Sequence, residues 1–225
     1  MKKVSVLIPT YNRAILINHC LLSIVKQTYK NLDIIVYDDG STDHTENVVR
    51  SFDDLRIRYY KEERHQGVSF ARNALLDLAD SDIACWQDSD DISNIHRIQI
   101  QYEAIIQFKN CFLTTNHIRL TAKNALQWPL KPIVSGGDKC GSFASIMFEN
   151  HNVPKFIKGV DFGGEDVEWT CDLKEQGRKH INIAERLYYV RLTNNDRIGC
   201  LKMLGENKEK REESDKKKKE YRRTL

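Results

Sequence analysis

The sequence has few of the features that mark membrane-spanning, zinc-binding or nucleic-acid-binding proteins. Within its 225 residues, no apolar run approaches the length that crosses a bilayer. The basic and then apolar start, Met1 to Ile8, is too short for a secretory signal and is ended by Pro9, so we expect a first strand and a cytoplasmic protein. The six cysteines are scattered without a CxxC pair, which argues against zinc and favours buried free thiols.

The net positive charge of the chain is confined to its C-terminal end. Residues 207–225 hold nine basic and five acidic side chains, so the remaining residues of this +3 chain sum to −1. A near-neutral body offers no basic groove, and we expect no nucleic-acid partner. We interpret the tail, centred on Lys216 to Lys219, as a solvated helix or disordered segment. The alternative is peripheral contact with anionic lipid at the inner face of the plasma membrane.

Apolar runs alternate with helical patterns through the first half of the chain. Short β-branched or apolar runs predict strands, and the segments between them repeat apolar residues at helical spacing. The predicted strands are 4–8, 32–37, 57–60 and 83–86, and the predicted helices are 14–26, a segment capped by Thr42 or Asp43 and ending near 51, 69–79 and 94–108. This alternation is typical of an α/β domain whose parallel sheet is covered by helices on both faces.

The second half of the chain is less regular. We predict strands at 111–120, 143–148 and 187–191, and a helix at 165–176 that is stopped by Gly177. The loop at 132–141, which contains Gly136 and Gly137, is predicted to be flexible. The length suits one sizeable core, so we expect a single domain over 1–206, with halves at 1–108 and 109–206, followed by the basic tail.

An acidic cluster, Asp88-Ser89-Asp90-Asp91, directly follows the fourth predicted strand. Three carboxylates at the end of a buried strand repel one another, and a divalent cation with oxygen ligands offsets that repulsion. Mg²⁺ or Mn²⁺ held by one or two carboxylates usually shares its remaining positions with substrate phosphates. Polar segments at 9–13 and 38–43 follow two other parallel strands, so all three segments are expected to converge on one crevice.

Five short motifs follow one another along the chain. They are Val-Ser-Val-Leu-Ile-Pro-Thr-Tyr-Asn-Arg (4–13), Tyr-Asp-Asp-Gly-Ser-Thr-Asp (37–43), Gly67 with Ala71-Arg72-Asn73, Gln-Asp-Ser-Asp-Asp (87–91) and Gly-Gly-Glu-Asp-Val-Glu-Trp (163–169). Together they resemble the family 2 inverting glycosyltransferases of the GT-A fold, of the bacterial surface-polysaccharide type. The resemblance covers roughly residues 4 to 191. It implies a Rossmann-like, mostly parallel central sheet flanked by helices, with a mixed acceptor-side half at 109–206.

The resemblance implies a metal-assisted, inverting transfer of a sugar from a nucleotide-sugar donor to a saccharide or lipid-linked saccharide acceptor. The donor is usually a UDP-sugar, and the cofactor is Mn²⁺ or Mg²⁺. Donor binding is assigned to Pro9, Thr10, Tyr11, Asp39, Arg72, Asp88, Ser89 and Asp90. The resemblance also implies Asp90 as the direct metal ligand and Asp166 as the general base. Glu165 is the alternative base or an anchor for the acceptor hydroxyl.

The chemistry of these side chains agrees with the implied roles. Tyr11 offers a flat face on which a pyrimidine stacks, and Asp39 offers an acceptor for a uracil N–H. Arg72 carries a planar fork of donors suited to carbonyl or phosphate oxygens. Plain structural alternatives are a turn aromatic at Tyr11, a turn and helix cap at Asp39, and a salt bridge at Arg72. Asp91, nearest the next predicted helix, is the acidic residue expected to act as a helix cap.

The sequence departs from the family pattern after its last predicted strand. Many members carry an Arg-x-His element there, whereas Arg191 of this chain is followed by Leu192, Thr193 and Asn194. Arg191 is still expected to bind the diphosphate, but no histidine follows it that would ligate the metal from this side. We interpret the seven histidines as surface or hydrogen-bonded core residues.

Two other functions are compatible with parts of the pattern. A phosphatase of the haloacid-dehalogenase type also places a DxD after a parallel strand, but after the first strand rather than the fourth. A glycosyltransferase-like module that binds nucleotide without turnover is the second alternative, although Asp166 and the DxD are intact.

Overall fold

A computed structural model describes residues 1–121, 142–157 and 165–192 of the chain. The strands are β1 (Val4–Thr10), β2 (Leu32–Asp38), β3 (Ile57–Lys61), β4 (Ile83–Trp86), β5 (Ile92–Ser93), β6 (Cys111–Thr121), β7 (Met147–Glu149) and β8 (Lys179–Leu192). The helices are α1 (Ala14–Val25), α2 (Thr45–Arg50), α3 (Val68–Leu78), α4 (Arg97–Ile105) and α5 (Glu165–Glu175). The predicted loop at 132–141, Gly163 and Gly164, and the basic tail lie outside the described residues.

The strands form one eight-stranded sheet in the order β3-β2-β1-β4-β7-β6-β8-β5. Strand β1 pairs in parallel with β2 and β4, and β2 pairs in parallel with β3. In the other half, β7 runs antiparallel to both β4 and β6, β6 and β8 are parallel, and β5 is antiparallel to β8. The predicted α/β class, with a parallel first half and a mixed second half, is confirmed.

Both faces of the parallel half are buried, which explains its nearly continuous apolar strands. On one face, Val6 and Ile8 of β1 belong to a core that includes Leu21 of α1. On the other face, Leu7 of the same strand packs in a core that includes Leu75 of α3. Alternate residues of β1 thus anchor helices on opposite faces, and the rigid sheet fixes where the strand ends lie.

Several element boundaries differ from the sequence prediction. Strand β8 begins at Lys179 rather than 187, because its first half pairs with β6 from Cys111 onward and packs Ile181 and Ile183 against the core, although most of its residues are exposed. The segment predicted as a strand at 143–148 is a 3-10 turn, Phe143–Ser145, followed by the short β7. The two-residue β5 was not predicted, and it delays the start of α4 from 94 to Arg97.

The predicted buried thiols are found where the structure describes them. Cys20, Cys85 and Cys111 are buried and free, and Cys171 is free and partly buried. Cys140 and Cys200 lie outside the described residues. No helix in the described ranges is both apolar enough and long enough to cross a bilayer. The single-domain boundary at 206 and the division at 108 remain predictions.

Candidate active site

The polar segments that follow β1, β2 and β4 meet at one edge of the sheet, as predicted. The Asp39 amide donates to the Thr10 carbonyl at 2.9 Å, and the Asn12 amide donates to the Ser41 hydroxyl at 2.8 Å. The Gln87 amide, just before the acidic cluster, donates to the Leu7 carbonyl at 3.0 Å. These bonds bring the first two loops together and tie the third to β1.

The acidic cluster gathers its carboxylates closely enough to hold one cation. One oxygen from each of Asp88, Asp90 and Asp91 lies within 4.8 Å of the others. The pKa of Asp88 is raised to about 6, chiefly by burial and also by Asp90, Asp166 and Glu165, against the opposing effect of Arg72. Burial and the two neighbouring aspartates also raise the pKa of Asp91. A hard divalent cation fits this set of oxygen donors and would relieve the repulsion among them.

Asp91 ties the acidic cluster to the far half of the sheet. Its carboxylate accepts the Arg191 amide of β8 at 2.8 Å, and its own amide donates to the Asp88 carbonyl at 3.2 Å. The expectation that Asp91 caps a helix is wrong, because β5 intervenes and α4 begins only at Arg97. Asp91 instead positions the end of β8 against the cluster.

Asp90, the expected metal ligand, lies at a more open point of the cluster than Asp91. Its side chain is 26% exposed, and its Oδ2 lies 3.8 Å from Nε of Arg13. Ser89, between the two aspartates of the motif, is buried. The role of Asp90 as a ligand and that of Ser89 in donor binding remain predictions.

Arg72 links the acidic cluster to the start of α5. Its guanidinium donates to Glu165 Oε1 at 3.0 Å and lies 4.0 Å from Asp88 Oδ1. The guanidinium carbon lies 4.6 Å from the Phe143 ring centroid and 5.3 Å from that of Phe156. Arg72 therefore makes the salt bridge that the sequence left open, and its assignment to donor binding remains a prediction.

Glu165 and Asp166 begin α5 beside this arginine. The Asp166 carboxylate accepts the amide of the next residue, Val167, at 2.8 Å. Glu165 uses Oε1 for Arg72, while its Oε2 is buried without a hydrogen-bond partner in the described ranges. Both carboxylates lie near enough to raise the pKa of Asp88. The structure thus brings the expected base and the metal-binding motif into one electrostatic neighbourhood.

The nucleoside end of the predicted donor site is formed by the loops after β1 and β2. Thr10 is buried, and its hydroxyl has no partner among the residues described, while Pro9 is partly exposed. Tyr11 is 37% exposed and stacks on His65, with ring centroids 3.9 Å apart. Asp39 accepts the amides of Gln66 and Gly67, each at 2.8 Å. Burial raises the pKa of Asp39, and these hydrogen bonds and His65 oppose that effect.

Arg191 presents a buried positive charge with unused hydrogen-bond donors. The residue is 6% exposed, and none of its three guanidinium nitrogens has a partner within the described part of the chain. Burial lowers its pKa, while Cys20, Asp91 and Asp90 raise it. Buried guanidinium groups are normally hydrogen-bonded, so these nitrogens call for a partner other than the described residues. The assignment of Arg191 to the diphosphate remains a prediction.

Two residues that the sequence did not single out, His65 and Arg97, contact the candidate site or the strand that carries it. His65 contacts both Tyr11 and Asp39, and its only sequence signal is its position two residues before the Gly67 motif. Arg97 is completely buried and donates to the Trp86 carbonyl at 3.1 Å, at the end of β4. Nothing in the sequence distinguishes Arg97 from a charged residue on an exposed first helical turn.

Comparison with known proteins agrees with this geometry. The sequence profile described as Glycosyl transferase family 2 matches residues 5–158. An Escherichia coli relative, UDP-Glc:alpha-D-GlcNAc-diphosphoundecaprenol beta-1,3-glucosyltransferase WfgD, is 33% identical over 114 residues, which are 51% of this chain and 45% of the relative. A Campylobacter jejuni relative, GalNAc(5)-diNAcBac-PP-undecaprenol beta-1,3-glucosyltransferase, is 40% identical over 94 residues, or 40% and 30% of the two chains. The chain spans less than half the length of each of these relatives.

Solved structures share the fold at low sequence identity. Staphylococcus aureus TarS 1–349 in complex with UDP-GlcNAc has a TM-score of 0.72 and 19% identity, covering 88% of this chain and 60% of TarS. The mannosyltransferase PcManGT from Pyrobaculum calidifontis, in complex with GDP-Man and Mn²⁺, has a TM-score of 0.66 and 19% identity, covering 86% and 58%. At this identity the likeness shows the fold alone, and it confirms the expected GT-A architecture.

Proposed function

We propose a sugar-transfer reaction from the premise that the chain belongs to glycosyl transferase family 2. In this reaction, a sugar moves from a UDP-sugar to a hydroxyl of a saccharide or lipid-linked saccharide. The observation that carries this proposal is the buried guanidinium of Arg191, which lies beside the acidic cluster and has no hydrogen-bond partner among the residues that the structure describes. A cation site next to an unused anion site suits a metal-bound diphosphate. The name of the WfgD relative gives a UDP-sugar donor, and the names of both relatives give a lipid-linked saccharide acceptor, which supports substrates of this kind.

The nucleoside would bind at the loops after β1 and β2. Tyr11 supplies an aromatic face, and Asp39 supplies a carboxylate that accepts a base N–H. Pro9 and Thr10 line the same loop, and the buried Thr10 hydroxyl has a hydrogen bond to offer. Asp88 and Ser89 would hold the ribose at the end of β4, between the base and the metal.

The diphosphate would lie between Asp90 and Arg191. Asp90 would ligate Mn²⁺ or Mg²⁺ directly, and such a cation supplies Lewis-acid stabilisation of the negative charge on a departing diphosphate. Arg191 would donate to the phosphate oxygens, because its three nitrogens have no other partner in the described ranges. Arg72 would act from the opposite side, where it holds Glu165 and approaches Asp88.

Asp166 would remove the proton from the attacking acceptor hydroxyl. Its position at the start of α5, beside the Glu165–Arg72 ion pair, suits an acceptor that approaches the sugar from the side opposite the leaving group. A single displacement of this kind inverts the anomeric configuration, and general-base catalysis of this type typically contributes about 10²–10⁴-fold. Glu165 would anchor the acceptor through its unpaired Oε2.

Incubation of the purified protein with UDP-sugars and Mn²⁺ tests the proposal, with transfer or slow donor hydrolysis as the readout. We expect Asp166→Asn to lower kcat by about 10²–10⁴-fold while UDP binding is retained, and product NMR to show an inverted anomer. UDP binding without turnover in the wild type would instead indicate a catalytically silent module. Release of phosphate from simple phosphate esters would indicate a phosphatase, and a retained anomer would refute the single displacement.

A lipid-linked acceptor would bring the protein to a membrane surface. The basic tail at 207–225 carries a net charge of +4 and would be attracted to anionic lipid. Sedimentation with vesicles of phosphatidylglycerol and phosphatidylcholine, compared with a chain ended at 206, tests this peripheral contact. Equal sedimentation of both chains would contradict it.

A further inference from the structure

His65 lies at the nucleoside end of the proposed donor site. Its imidazole stacks on Tyr11 with ring centroids 3.9 Å apart and an interplanar angle of 19°. Its Nδ1 lies 2.7 Å from Oδ2 of Asp39. A uracil that stacked on Tyr11 and donated its N–H to Asp39 would make the same two contacts.

The Asp39 carboxylate has little capacity to accept hydrogen bonds from the His65 imidazole and from a nucleobase at the same time. Its side chain is only 4% exposed. Oδ1 accepts the Gln66 amide and Oδ2 accepts the Gly67 amide as well as the imidazole. A carboxylate has about four acceptor positions, so three donors nearly fill it. Of these three donors only the imidazole is a side chain, and it is half exposed, so it is the donor that a ligand is able to displace.

The backbone that carries His65 is fixed, which confines movement to its side chain. Gly40 has φ +78°, and a Cβ at this position would lie 2.8 Å from both the Arg64 carbonyl carbon and the His65 nitrogen. The loop backbone thus packs directly against the turn after β2. At its other end, the loop is held by the two amide bonds from Gln66 and Gly67 to Asp39. Rotation of the His65 side chain is the smallest change that opens the Tyr11 face and Asp39 together.

We infer that the His65 imidazole occupies the nucleobase position in the unliganded protein, and that the donor base displaces it on binding. This inference rests on the proposed function, since it concerns the nucleoside subsite of the same donor site. Closure by His65 lowers the apparent affinity for any nucleotide by the fraction of molecules that are open. The cost of opening is common to all nucleotides, so it sets overall donor affinity and leaves the preference between bases unchanged.

Calorimetric titration of the full chain with UDP and CDP, in the presence of Mn²⁺, tests the inference. We expect His65→Ala to bind both nucleotides about five- to tenfold more tightly than the wild type, at an unchanged ratio of the two affinities. His151→Ala is the matched control, because His151 is an exposed histidine beyond the end of β7 and should leave both affinities unchanged. In the wild-type protein, the imidazole NMR signals of His65 should lose their Tyr11 ring-current shift when UDP saturates the site.

Three results would overturn the inference. If the wild type binds UDP and His65→Ala binds it equally or more weakly, the imidazole is no competitor, while the donor site itself stands. If UDP leaves the His65 signals unshifted, the base does not displace the ring. If neither protein binds UDP at millimolar concentration, the proposed donor site fails and this inference fails with it.

Discussion

Replacement by methionine should have opposite effects on activity and stability at two buried arginines. Arg191 is 6% exposed and Arg178 is 5% exposed, and burial lowers the pKa of both. Arg178 donates to the Glu149 carbonyl at 2.6 Å and also to the His151 carbonyl. Arg191 makes no side-chain hydrogen bond within the described residues. We expect Arg191→Met to reduce activity with little effect on stability, and Arg178→Met to reduce stability with little effect on activity.

The expected changes in the free energy of unfolding follow from the hydrogen-bonding groups that each substitution leaves without a partner. Arg178→Met leaves two carbonyls without their donors and should cost about 2–4 kcal/mol in the free energy of unfolding. In a chain of this size, that lowers the melting temperature by roughly 5–15 °C. Arg191→Met removes a desolvated charge and its unpaired donors, and the lost attraction to Asp90 and Asp91 offsets part of that relief. Its free energy of unfolding should therefore not fall, in contrast to the loss expected for Arg178→Met.

Activity should show the reverse order. Two charge-assisted bonds from Arg191 to a diphosphate, each worth about 1.5–3 kcal/mol, correspond to a loss of about 10²–10⁴-fold in kcat/KM for the UDP-sugar. Arg178→Met should stay within about threefold of the wild type at a temperature where it is folded. Calorimetric melting and donor turnover on the same preparations give both quantities. An Arg191→Met protein that melts as early as Arg178→Met would show that Arg191 supports the fold, and would refute the reasoning.

Three further predictions concern the cluster and its supporting turn. Mn²⁺ should tighten UDP binding in calorimetric titrations, and Asp90→Asn should remove most of that effect. In metal-free protein, the pKa of Asp88 at about 6 lies above that of the unfolded chain, so the contribution of Asp88 to the free energy of unfolding should grow as pH falls from 7 to 5, whereas the lowered pKa values of His19 and His180 act in the opposite direction. Urea titrations should show that the wild type gains more, or loses less, free energy of unfolding on this pH change than Asp88→Asn does. Gly40→Ala should lower the free energy of unfolding by more than about 2 kcal/mol, since its Cβ would strike the Arg64 backbone in a left-handed turn. Gly177→Ala, also at a positive φ but with only an ordinary van der Waals contact at its Cβ, should cost only about 1–2 kcal/mol. Equal losses in urea titrations would contradict this packing of Gly40.

The parallel half of the fold and the convergence of its loops were predictable because local and tertiary signals agree there. Val4 to Ile8 is β-branched, apolar and buried on both faces, so composition alone marks it as a central strand. Parallel strands send their carboxyl ends to one edge, which places the segments after β1, β2 and β4 together whatever the details of packing.

The acceptor-side half could not be predicted as well, because its side-chain pattern is short and weak beside its pairing. In the first part of β8, from Lys179, most residues are exposed and only Ile181 and Ile183 pack against the core, while β6 pairs with the strand along its whole length. Arg97 could not be recognised as buried either, since its partners are backbone carbonyls such as that of Trp86, which carry no sequence signal. The contact of His65 with Tyr11 depends on a turn packed against Gly40, and no periodicity reports such a contact.

The predicted effect of Mn²⁺ on UDP binding follows from the arrangement of charges in the cleft. A diphosphate that approached alone would gain Arg191 but would face the carboxylates of Asp88 and Asp90. A divalent cation that approached alone would satisfy those carboxylates but would lie near the positive charge of the Arg191 guanidinium. When both ligands bind, each offsets the charge that opposes the other, so their affinities must be linked, and by the same factor in either order of addition. Titration of Mn²⁺ with and without UDP should reproduce the factor measured for UDP with and without Mn²⁺, and independent binding would show that the acidic cluster and Arg191 do not serve one diphosphate.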